Sequence, residues 1–80
     1  MIPLAKLKKG SRAVIVNFLV DKAVNPGFYN RLMQMGLVEG TIIELAHFAP
    51  FGGAIAIRCR DTLIGMRLSD AELVLVKEAE

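Results

Sequence analysis

His47 and Cys59 are the only histidine and the only cysteine of the chain, so the side chains that most often hold a transition metal or act as nucleophiles occur once each. A metal site of the zinc type needs three or four N, S or O ligands close together. No such cluster can be drawn from the spacing, and any bound ion is expected only at a contact between chains. His47 has the parity of Leu45 near a strand end and reads as a half-exposed strand residue. Cys59 alternates with Ile57 and reads as a small buried hydrophobe, not a nucleophile. The carboxylates of Asp21, Glu39, Glu44, Asp61, Asp70, Glu72, Glu78 and Glu80 fall mostly at turns, caps and the tail, and no two stand out as a general acid and base. The chain has no phosphate-cradling glycine loop, no nucleophile elbow and no dinucleotide fingerprint. The expectation is a binding protein, not an enzyme, with no cofactor.

Arginines are the remaining polar candidates. Alternation places Arg58, Arg60 and Arg67 on one outer sheet face, where they suit either a phosphate patch or an ordinary solvated surface. No stacking aromatic sits on those strands, which favours the solvated surface. A formal net charge of +2 is too small to identify a nucleic-acid binder.

The elements that carry these residues are organised around Arg31 to Thr41. Asn25-Pro26 is an N-cap followed by proline at the first helical position, and Gly36 falls where a helix needs a left-handed residue to stop. Leu37 is placed for the apolar contact that closes such a cap, and Gly40-Thr41 turns the chain into a strand. Within the helix, about Pro26 to Met35, Phe28, Leu32 and Met35 form one core stripe. Tyr29 and Met33 lie off that stripe and suit an adaptable partner surface, with Arg31 at its boundary as a further contact or as an internal charge partner.

Around this helix the chain reads as short strands. The lead-in carries Leu4 and Leu7, which a helical turn or an extended segment would bury. The first strand, Arg12 to Leu19, has apolar residues of both parities: Ala13 and Ile15 one way, Val14, Val16 and Phe18 the other. A polar loop spans Asp21 to Asn25. Ile43 and Leu45 point inward on the second strand, and Ile55, Ile57 and Cys59 on the third. Between them Ala49-Pro50-Phe51-Gly52-Gly53 is a hairpin connection. Ile64 and Met66 continue the core. Ser69 to Glu72 has the form of a capping box opening one helical turn. The last strand shows Val74 and Val76 on one face, Leu73 and Leu75 on the other, before a frayed tail from Lys77 to Glu80. The second faces, Val14, Val16, Leu73 and Leu75, are candidates for self-association.

Five strands with one helix inserted after the first predict a mainly β fold, a small SH3-like antiparallel barrel, as one domain over residues 1–80. Of the 80 residues, 54% are hydrophobic, enough for a core at a size where one is barely sufficient. No apolar run is long enough for a membrane span or a signal peptide, and one cysteine fits a reducing compartment, so a cytoplasmic location without direct membrane insertion is expected.

These residues together resemble the ferrous iron transport protein A (FeoA) family. The likeness rests on Leu4, Leu7 and Gly10, on Arg31-Leu32, Gly36-Leu37 and Gly40-Thr41, on Pro50, Gly52 and Gly53 within the hairpin, and on Met66-Arg67, Ala71, Val74 and Val76. It covers nearly the whole chain. Departures are Ala54, where members often have proline, and Asp61-Thr62 in place of a glycine-containing turn. The resemblance implies a small cytoplasmic accessory protein that binds and modulates the GTP-hydrolysing (FeoB-like) ferrous iron permease. It implies no metal ligand that can be placed on this sequence. Similar domains end iron-dependent repressors, so the alternative is an SH3-like nucleic-acid or repressor-associated module, and a third reading is a self-associating structural protein.

Overall fold

In the computed structural model, which describes residues 1–21 and 23–79, the element order is β1 (Ile2–Pro3), a single 3-10 turn (Leu4–Lys6), β2 (Arg12–Phe18), α1 (Pro26–Gln34), β3 (Ile42–Phe48), β4 (Ala54–Cys59), β5 (Thr62–Arg67), α2 (Leu68–Ala71) and β6 (Val74–Ala79). Lys22 of the expected polar loop and Glu80 of the expected tail lie outside the described residues.

The strands form one antiparallel sheet in the order β1-β6-β2-β3-β4-β5. Two bulges bend it: β2 shifts register against β6 between Ile15 and Asn17, and β3 against β4 between Leu45 and His47. An extra residue in one strand increases the local twist, which curls a six-stranded sheet into the SH3-like barrel. Inside it, Ala13, Ile15, Ile43, Leu45, Ile55, Ile57, Cys59, Val74 and Val76 are all buried, as their alternation requires. Leu4 and Leu7 plug one end through the 3-10 turn, where α2 packs against both that turn and β5. The ends of the sheet are therefore joined by side chains, not by a ladder.

α1 forms because its ends are satisfied. The Phe28 N–H donates to the Asn25 side chain at 3.2 Å, a cap that contributes about 1 kcal/mol, and Pro26 begins the helix where no N–H is needed. At the far end the Gly36 N–H donates to the Met33 carbonyl at 3.0 Å and the Leu37 N–H to the Leu32 carbonyl at 2.8 Å, with Gly36 at φ 80°. That is the paired closure of a Schellman motif. Phe28 and Leu32 are buried against the barrel, each burial stabilising by roughly 1.5–3 kcal/mol.

Four expectations need correction. Met35 does not join the core: it is the C-cap of α1 and partly exposed, and the apolar residue buried at this end of the helix is Leu37, beyond the reversal at Gly36. Phe18 leaves the side of Val14, because the bulge before Asn17 reverses its parity, and packs on the core with Phe28 at 6.4 Å between centroids. Ser69 to Glu72 is no capping box. The Leu68 N–H donates to the Gly53 carbonyl at 2.9 Å, so α2 starts at Leu68, its N-cap is Arg67, and Ser69 is already helical. The strand count rises from five to six, since Ile2–Pro3 pairs with Val76 and Leu75.

Candidate partner-binding site

α1 holds the three residues expected to meet a partner, and its cylinder sends them to different places. Met33 is exposed, at 55% of its surface. Tyr29 is half-buried: its hydroxyl donates to the Val20 carbonyl, and its ring meets those of Phe18 and Phe28 edge-on at 5.4 and 6.2 Å. The ring thus ties the loop after β2 to the helix. Arg31 points the other way around α1, exposed, with a guanidinium nitrogen 3.9 Å from an Asp70 carboxylate oxygen on α2.

Tyr29 and Met33 line one open groove of about 370 Å³ between α1 and the corner that follows it. Phe18, Leu32, Leu37 and Val38 complete its apolar wall, with Glu39 at its rim. Phe18 and Val38 were not legible as groove residues, the first because the bulge turns it inward, the second because only the Schellman corner folds it back beside the helix. The aromatic walls are fixed by mutual packing, and Met33 is the adaptable member.

The structure divides the four residues expected to favour self-association. Leu73 packs against the core, and its carbonyl accepts from the Leu19 N–H at 2.7 Å. Val14, Val16 and Leu75 remain half-buried on the outer sheet surface, where Val14 is opposite the half-exposed Ile42 and Leu75 opposite Asn17.

The arginines do not share one patch. Arg58 and Arg60 join Arg12 around Ile42 and Glu44, whereas Arg67 lies in a separate groove with Arg31. Arg58 and Arg12 flank Glu44 from the two adjacent strands. His47 is exposed, because the β3 bulge turns it away from Leu45, and Cys59 is buried at 3% exposure. Among the described residues, no three His, Cys, Asp or Glu side chains gather, and no helix is long and apolar enough to cross a membrane.

With this geometry in place, the FeoA domain family model matches residues 2–78. The chain is similar to the FeoA protein from Chlorobium tepidum, with 34% identity and a TM-score of 0.83 over 99% of this chain and 71% of that one. It is similar to a FeoA-like protein from Clostridium acetobutylicum, with 30% identity and a TM-score of 0.80 over 96% of this chain and 85% of that one. A likeness of fold alone extends to the manganese regulator SloR, at 14% identity and a TM-score of 0.82 over 98% of this chain and 34% of that one. The curated proteins compared give no match.

Proposed function

The chain belongs to the FeoA family of ferrous iron transport, and on that premise we propose that it is a cytoplasmic accessory protein that docks on the cytoplasmic part of a GTP-hydrolysing ferrous iron permease and modulates it. The observation that supports the docking is the open groove beside α1, where Met33 is held in solvent over a rigid aromatic wall. Soluble domains seldom leave such surface uncovered without a partner. The permease covers this groove, and Arg31 at the far edge of α1 offers it a charged contact.

The test is Met33→Lys, which replaces an exposed side chain with a charge that the C-terminal end of α1 tolerates, and should leave the melting temperature unchanged while weakening binding to the permease's soluble GTP-binding domain in calorimetry. Undiminished binding by the folded variant overturns the assignment of this groove.

A second reading has one specific observation in its favour: Arg12, Arg58 and Arg60 face a common groove. A nucleic-acid module built on them would lose affinity steeply with salt and lose it uniformly on Arg58→Ala.

A further inference from the structure

β5 closes the sheet order at one end and pairs only with β4, in a regular register from Cys59 opposite Thr62 to Ala54 opposite Arg67. Cys59 and Thr62 bracket the two-residue turn Arg60-Asp61, so they form a hydrogen-bonded pair, as do Ile57 with Ile64 and Ile55 with Met66. The backbone N–H and C=O groups of Leu63 and Gly65 and the N–H of Arg67 therefore point away from the sheet, while the Arg67 carbonyl, at the N-cap of α2, opens that helix. None of those outward groups takes part in the turn, loop or cap hydrogen bonds of the described residues. Edge strands are ordinarily blunted by proline, by a bulge or by being very short. β1, at the other end, has two residues; β5 has six, without proline and without a register shift.

This free edge does not face open solvent alone. A groove of about 240 Å³ separates it from α1, with Phe28, Leu32 and Met66 as an apolar floor and Met35 on the helix wall. Gly65 and Arg67 form the strand wall, and Arg31 and Asp70 stand at the rim. Gly65 is exposed, and a Cβ built on it meets nothing within 4 Å, so no packing inside the domain explains a glycine there. Glycine inside a strand commonly marks a place where another backbone comes close. A free strand edge beside an apolar floor offers an added strand both main-chain hydrogen bonds and a pocket for its side chains. The charges are two arginines against one aspartate, and Asp70 already stands near Arg31, which leaves Arg67 to meet a negative group.

We propose that the groove between α1 and the edge of β5 takes an extended, carboxylate-bearing peptide segment of a partner protein, added as a further strand. Its backbone bonds to Leu63, Gly65 and the Arg67 N–H, an apolar side chain enters over Phe28 and Leu32, and its carboxylate meets the Arg67 guanidinium. The groove lies on the opposite flank of α1 from Tyr29 and Met33, so this site stands or falls independently of the docking groove above.

The experiment is selection of displayed random decapeptides on the full chain, with counter-selection on Gly65→Pro. That substitution removes an outward N–H and no ladder bond, so an edge strand accommodates it. The expected outcome is enrichment of peptides with Asp or Glu among β-branched residues, whose addition slows amide exchange at Leu63, Gly65 and Arg67. Arg67→Glu, which retains the edge, should weaken a selected peptide by about tenfold, the scale of one charge-assisted bond. It is also the deciding variant if Gly65→Pro does not fold. No enrichment, peptides without carboxylates, or protection confined to other residues overturns the proposal. Concentration-dependent protection of the same amides without peptide also overturns it, since the occupant is then a second copy of the chain.

Discussion

The guanidinium of Arg60 lies against Gly36: a Cβ built on the glycine would be 3.4 Å from Arg60 Nη1. Arg60 occupies the first position of the β4–β5 turn, at φ 57°, the single non-glycine residue with a left-handed backbone among those described. An arginine there bears a backbone cost of roughly 1–2 kcal/mol. Its side chain partly offsets that cost by placing positive charge at the C-terminal end of α1, where the helix dipole favours a cation by about 0.3–1 kcal/mol. Arg60→Gly removes both terms and adds chain freedom to the unfolded state, worth about 0.4–1 kcal/mol. The expected result is near neutrality at low ionic strength and a gain of about 0.5 kcal/mol at high salt, where the dipole interaction is screened. Urea midpoints at the two salt concentrations check this, and a gain that shrinks with salt contradicts it.

Gly36→Val should destabilise the fold more than Gly53→Ala. Valine, β-branched, is strongly disfavoured at φ 80° and breaks the Schellman closure, at a cost of about 3 kcal/mol. Gly53 also has φ 80°, so alanine there is strained too, and Gly52, already at 78°, has no slack to share. Nothing crowds the new methyl, however, and its cost stays near 1 kcal/mol. Equal urea midpoints for the two variants would show that the helix cap contributes little.

Tyr29→Phe keeps the ring stack with Phe18 and Phe28 and deletes the bond to the Val20 carbonyl. A loss of about 1 kcal/mol is expected, against less than about 0.5 kcal/mol for Met33→Ser on the same helix. Thermal melts of the two variants compare them directly, and the reverse ranking would exchange the structural and the adaptable member of the groove.

The difference between Tyr29 and Met33 also marks how far the sequence carries. Features set within a few residues were legible: the Asn25 cap, the Gly36 stop with its Leu37 contact, and the alternation of Ile55, Ile57 and Cys59 all depend on local geometry. Features set by register were not. One extra residue in β2 decides that Phe18 faces the helix, and one in β3 decides that His47 faces solvent. A bulge is fixed by strand pairings distant in sequence, so parity counted along one strand fails beyond it. The two grooves beside α1 were hidden for the same reason. Asp70 and Gly65 meet Arg31 only because α2 and β5 come back alongside the helix.

Arg31→Ala should change stability by less than about 0.5 kcal/mol. Its contact with Asp70 is 3.9 Å long, and 59% of the arginine side chain is exposed, so water screens the pair. Chemical denaturation of Arg31→Ala, Asp70→Ala and the double variant gives the coupling energy. A coupling above about 1 kcal/mol would make the pair a structural clasp between the two helices and remove Arg31 from the residues available to a partner.

Cys59 offers the sharpest measure of whether the barrel interior is closed. It ends β4 opposite Thr62, with 3% of its surface exposed, in the same inward row as Ile55 and Ile57. If its role is packing, alanine costs only the lost sulfur contacts, about 1 kcal/mol, while serine places a hydroxyl among apolar groups and costs about 1–3 kcal/mol when no acceptor is available. Serine should therefore be the worse replacement although it is closer in size. The same burial predicts that a thiol reagent modifies the native protein only as fast as β4 and β5 separate, so the rate rises with urea well below the unfolding midpoint. Prompt native-state labelling, or a Cys59→Ser variant as stable as Cys59→Ala, would show a thiol open to solvent and return it to the residues available for chemistry.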